Sequence, residues 1–172
     1  MDRQQAYKLR ARKLYGDVSW THKIQAKQCD LYETRDTRLK ILSIVLVALT
    51  SSGIFSGLFL DSRFVDVASA VLAFASLFVT IDREARGYEA KRSACEQATN
   101  NFLPLRTRAE RLYLKLCCPS EELDADEREL DLLQEKYALL CSIMPQTSAK
   151  ATALAEKAKA SGEMKILVDD NG

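Results

Sequence analysis

The chain has 172 residues, with 25 Lys and Arg against 24 Asp and Glu, for a net charge of +1. That length fits one domain, or one domain plus a tail, and the charge balance points to no nucleic-acid partner. A mean hydropathy of −0.18 suggests a water-exposed protein only because it averages two populations: residues 41–81 are almost free of charge, and the flanks hold nearly all of it. The five cysteines (Cys29, Cys95, Cys117, Cys118, Cys141) form no CxxC pair and are accompanied by the single His22, so no metal spacing is present and no cofactor is expected. They read as small apolar residues at helix contacts, with lipidation of Cys29 or Cys95 a remote alternative.

Residues 1–40 are polar, helix-prone and basic, and form the first region. Gly16-Asp17 predicts a break, with Ser19 as N-cap of a second piece whose face carries Trp20, Ile24, Lys27 and Leu31. No signal peptide is expected, since the first apolar run starts forty residues in and another follows it directly.

Residues 41–60, ILSIVLVALTSSGIFSGLFL, hold no charge, and residues 64–81, FVDVASAVLAFASLFVTI, hold one acid, Asp66. Twenty helical residues rise about 30 Å, the thickness of a bilayer's hydrocarbon core, and the second run reaches about 27 Å. The two runs predict a transmembrane hairpin over 41–81. Five Lys or Arg lie in the twenty residues before it, four in the twenty after it and one in the connecting Asp61-Ser62-Arg63. The bias of positive charge toward the inside then predicts two cytoplasmic termini and an outward-facing loop.

Residues 82–145 read as cytoplasmic helices. The first is expected to continue from the second span without a stop. Cys95, Ala98, Phe102, Leu105, Ala109, Leu112 and Leu116 recur in steps of three and four, a heptad seam that Pro104 interrupts by a kink or by a restart capped at Asn101. Cys118-Pro119-Ser120 breaks the chain, and Asp124 with Glu127 resembles a capping box. A second seam follows at Leu130, Leu133, Tyr137, Leu140 and Met144, stopped by Pro145. The seams are expected to pack on each other or on another subunit's copy. Residues 146–172 read as a tail: a frayed helix to about Gly162, then loose chain.

Candidate functional residues cluster in the hairpin. Ser52, Gly53, Ser56 and Gly57 form a small-residue face suited to close helix packing, or to a water-lined wall. On the second span Ser69, Ala73, Ser76 and Thr80 fall within about 60° of one another at 100° per residue, with Asp66 and Arg83 extending the face at its two ends. The stripe is suited to lining a pore, with Asp66 at its outer mouth. The alternatives are that the hydroxyls bond their own i−4 carbonyls in a packed face, and that Asp66 is an interfacial residue at a helix N-terminus. No catalytic constellation accompanies His22, and enzyme activity is not expected.

The blocks RLKILSIVLVALTSSGIFSGLF, SAVLAFASLFVTIDREARGYEAKRSACEQA and RTRAERLYLKL resemble the SLATT proteins across about residues 20–145. These are bacterial two-transmembrane effectors, found beside nucleotide-signalling synthases and nucleotide-sensing domains. The resemblance implies an effector of an anti-phage or inter-bacterial conflict system that forms pores in the inner membrane once a linked sensor is triggered. It carries over no site residues. No fused sensor is read in the chain, so activation is expected to need a separate sensor or nucleotide-signalling partner, or a change sensed by the cytoplasmic helices themselves. The expected fold is therefore all-α, a transmembrane hairpin whose cytoplasmic extensions pack as a bundle or coiled coil, in a homo-oligomer in the lipid bilayer. The alternative function is a membrane-anchored helical scaffold that binds a partner without forming a pore.

Overall fold

The computed structural model describes residues 3–57, 63–118 and 123–163, except for the side chains at 53–57, 63, 65 and 66. Five helices account for nearly all of these residues: α1 (Arg3–Gly57), α2 (Arg63–Arg86), α3 (Tyr88–Leu116), α4 (Leu123–Ile143) and α5 (Ala149–Ala160). No strand occurs among the described residues. The chain divides into two compact units, one of Met1–Cys29 with Ser93–Gly172 and one of Asp30–Arg92.

The first unit is a helical bundle. Gln4 Nε2 on α1 donates to the carbonyls of Leu116 (3.4 Å) and Cys118 (2.6 Å), and Cys29 Sγ lies 3.9 Å from Thr99 Oγ1. Within this unit α1 and α3 therefore run antiparallel. Arg3 meets Asp124 and Glu127 at 2.8 and 3.0 Å, Arg10 meets Asp131 at 2.7 Å, and Gln25 Nε2 donates to the Pro145 carbonyl at 2.9 Å, which sets α4 parallel to α1. The core joins Tyr7, Ala11, Leu14, Tyr15 and Val18 to Phe102, Leu105, Ala109, Leu112 and Leu116, and to Leu130, Leu133 and Leu140.

Several local expectations give way here. α1 runs through Gly16 and Asp17, because Leu14, Tyr15 and Val18 on either side are buried and packing outweighs the local propensity cost of Gly. Ser19 is no cap: it is buried within the helix, its hydroxyl without a hydrogen-bond partner among the described residues. Trp20, Ile24, Lys27 and Leu31 are only half-buried. The buried face instead steps by fours and threes through Tyr7, Ala11, Leu14 and Val18, reaching Gln25 and Gln28 by way of the half-buried Thr21. α3 likewise passes through Pro104 without ending, held by buried Phe102 and Leu105. Asp124 lies inside α4, where it pairs with Arg3.

α5 is a packed helix rather than a frayed one. Ser148 caps it, accepting from the Ala151 amide, and Ala151, Ala155 and Ala158 are buried along one face. Its end closes on Gly162 at φ +75°, where the Gly162 amide donates to the Lys159 carbonyl and the Glu163 amide to that of Ala158. The loose chain expected beyond Gly162 falls almost wholly on 164–172, outside the described residues.

The second unit pairs the 30–57 part of α1 with α2 and the first turn of α3. The Tyr32 and Tyr88 rings lie 6.2 Å apart, Arg83 pairs with Asp36, and Ser43 Oγ and Thr80 Oγ1 share a hydrogen bond at 3.2 Å, so the two long helices are antiparallel neighbours. Between α2 and α3 the helix does stop, at Gly87 with φ +56°, a left-handed conformation that favours glycine. Among the described residues no helix is long and apolar enough to cross a membrane. The run 41–60 leaves the described side chains after Ser52, and the run 64–81 is described at 64 and 67–81, so each described stretch is shorter than its run in the sequence.

Candidate functional site

The described part of the second unit presents apolar side chains outward from both helices. Ile41, Leu42, Ile44, Val45, Val47 and Leu49 on α1 are exposed, as are Phe64, Val67, Val71, Phe74, Leu77, Phe78 and Ile81 on α2. Three phenylalanines are nearly bare: Phe64 is 82%, Phe74 75% and Phe78 74% exposed. Exposed singly, such residues need no explanation; in two adjoining rows they form a patch of the kind that a partner or a membrane covers.

Polar groups among them are satisfied locally. Thr50, Ser51 and Ser52 donate to the carbonyls of Leu46, Val47 and Ala48, Thr80 to that of Ser76, and Ser76 to that of Ala73. This is the back-bonding that lets Ser and Thr sit in an apolar helix. Ser69 is buried, Ser76 is half-buried, and Ala73 and Thr80 are exposed. Thr80 is brought against Ser43, and Arg83 against Asp36 with 2.7 Å between Nε and Oδ1. Neither partner on α1 belongs to the stripe read from the sequence; they come into view only when α1 and α2 are set side by side as antiparallel helices. Gly53, Ser56, Gly57 and Asp66 lie within α1 and α2, but their side chains are outside the described residues.

Charges gather at the base of the two helices. The Arg83 guanidinium holds the Asp36 carboxyl below the usual carboxylate range, Arg86 does the same to Asp82 at 2.7 Å, and Arg92 lies 3.6 Å from Glu33.

In the first unit the structure buries Cys95, Ala98, Phe102, Leu105, Ala109, Leu112 and Leu116 of α3, together with Leu130, Leu133 and Leu140 of α4. Tyr137 is half-buried, its ring edge-on to Phe102 at 6.2 Å, and its hydroxyl shares a hydrogen bond with Thr21 at 2.9 Å. Two polar residues that periodicity misses sit in this core. Gln25 reaches the Pro145 carbonyl, and Gln28 Oε1 accepts from both the amide (2.9 Å) and the hydroxyl (2.7 Å) of Ser148. They fix the α4–α5 connection. His22 is partly buried, and burial, with the nearby charges of Arg106 and Lys23, lowers its pKa. Among the described residues no cluster of His, Cys, Asp and Glu is suited to a metal.

The family model described as the SMODS and SLOG-associating 2TM effector domain, family 4, matches residues 8–170. The chain belongs to the SLATT family. No curated protein and no solved structure matches it. The match to this SLATT model takes in both compact units, including the paired apolar helices and all of α3, α4 and α5.

Proposed function

We propose that this SLATT chain is a membrane effector of a conflict system: its 41–60 and 64–81 runs cross the bacterial inner membrane as a hairpin, both termini stay in the cytoplasm, and several copies enclose a pore. The observation that carries this reading is the double row of exposed apolar side chains from Ile41 to Ile81, with the bare Phe74 and Phe78 at its middle. Lipid would cover such rows, while the helices satisfy their own backbone and the Ser and Thr hydroxyls bond to it. Two helices cannot surround a channel, so a pore requires an oligomer. The Ser69, Ala73, Ser76 and Thr80 stripe, between Asp66 and Arg83, is the surface proposed to line it, and Ser52, Gly53, Ser56 and Gly57 the surface proposed to pack helices. The trigger is assigned to a separate sensor or nucleotide-signalling partner.

A second reading, a membrane-anchored scaffold, draws support from the local satisfaction of the Ser76 and Thr80 hydroxyls, as in a face that only packs. Purified chain reconstituted into liposomes with a trapped dye separates the two. A pore releases the dye, and Ser76→Leu or Thr80→Leu stops the release while leaving the chain inserted. Absence of release from liposomes that hold the inserted chain favours the scaffold.

A further inference from the structure

The cations at the base of the apolar helices are not equivalent. Arg83 is taken up by Asp36, Arg86 by Asp82, and Arg92 lies beside Glu33. Arg35 and Arg38, on α1 just before the apolar run, are exposed and make no ion pair or hydrogen bond among the described residues.

Their place on the helix is specific. At about 100° per residue, Asp36 and Ser43, which face α2, lie within about 20° of each other. Arg38 lies roughly 160° from Asp36, on the opposite side, in line with the exposed Leu42, Val45 and Leu49. Arg35 is one turn before Arg38 and about 60° from it, close enough for two guanidinium groups to share one anion. A helix that bears cations at the start of an outward apolar row can extend their stems along that row and hold their heads at the level of phosphates.

We infer that Arg35 and Arg38 form a binding site for the phosphate of an anionic phospholipid headgroup. The inference rests on the membrane reading above and adds the lipid class that the inner end of the hairpin selects. Guanidinium forks suit phosphate because two N–H groups can be directed at two oxygens. The choice of a lipid over a free anion follows from the continuous row: a phosphate held at Arg38 would carry its acyl chains along Leu42, Val45 and Leu49.

The test uses the full chain purified in a neutral detergent and titrated with phosphatidylglycerol or phosphatidylcholine, with bound lipid read by native mass spectrometry. The wild type is expected to prefer phosphatidylglycerol, and added salt to reduce that preference. Each of Arg35→Gln and Arg38→Gln should weaken phosphatidylglycerol binding roughly fivefold, and the double variant roughly thirtyfold. Phosphatidylcholine binding should not change, and Lys157→Gln with Lys159→Gln on α5 should change neither. Equal binding of the two lipids by the wild type overturns the inference, as does a double variant that binds phosphatidylglycerol like the wild type. Displacement of the lipid by inorganic phosphate also overturns it, making the pair a free-anion site. Carbonate washing of membranes keeps the two readings apart. A wild-type chain that washes out sinks the membrane reading, whereas a resistant chain without lipid preference sinks only this one.

Discussion

Arg83 grips Asp36 with two donors, Nε to Oδ1 at 2.7 Å and Nη2 to Oδ2 at 3.3 Å, tying α2 to α1 at the base of the apolar helices. The hydrogen bonds from Arg83 hold the Asp36 carboxyl below its usual range, and the charges of Arg83, Lys40 and Arg92 add to the effect. Because the folded-state pKa is depressed, the pair stabilises the hairpin above the ordinary carboxylate pKa, and this stabilisation is lost as the pH falls through the lowered value. Carbon NMR of the Asp36 carboxyl should show a midpoint below about 3.9 that rises toward it in Arg83→Gln. An unchanged midpoint in that variant would show that Arg83 is not what lowers it.

Phe102 stands where α3 meets α4, 1% exposed and edge-on to Tyr137. Phe102→Ala should cost about 3–5 kcal/mol, from lost burial and the cavity left behind. Leu103→Ala, one residue on but 49% exposed, should cost under about 0.5 kcal/mol. Chemical denaturation followed by circular dichroism measures both, and similar losses would place the core elsewhere.

Gln28 anchors α5 through the amide and the hydroxyl of Ser148. Gln28→Ala removes the acceptor for two buried-side donors, a loss of about 1–3 kcal/mol. The effect should be local: amide exchange should quicken across 148–160 and stay unchanged in α3. If exchange accelerates equally in both, Gln28 supports the whole bundle and not the α5 junction.

Cys95 is fully buried, and burial, with Cys29 beside it, pushes its thiol up to about 11. Cys117 and Cys118 are exposed. The thiolate is the form that alkylates, so at mildly alkaline pH iodoacetamide should label Cys117 and Cys118 and spare Cys95 until denaturant is added. Peptide mapping by mass spectrometry reads the order, and early labelling of Cys95 would mean that α1 and α3 separate readily there.

The all-helical class was legible in the chain, because an apolar run without charge and apolar residues in steps of three and four are local properties of a sequence; the family was legible only through the resemblance of whole sequence blocks. α3 buries a small or apolar residue every third or fourth position, so its inner face can be read without a partner. α1 cannot be read that way. Its inner face continues from Leu14 and Val18 into Gln25 and Gln28, whose polarity marks them for the surface until the Pro145 carbonyl and Ser148 are known to lie opposite.

The same limit governs the apolar helices. Composition alone marked 41–60 and 64–81, with cations on their flanks, as the region where function would lie. Which cation is neutralised and which is free depends on distances across the hairpin: Asp36 reaches Arg83, forty-seven positions away, while Arg35 and Arg38 turn outward. The helices continue through Gly16 and Pro104 for a related reason. Helix propensity is worth about 1 kcal/mol at Gly and about 3 at Pro, and the burial of Tyr15, Val18, Phe102 and Leu105 exceeds it. Local terms set the class of the fold, and the larger contact terms, formed between residues far apart in the chain, decided where its helices run on and which polar groups they pair.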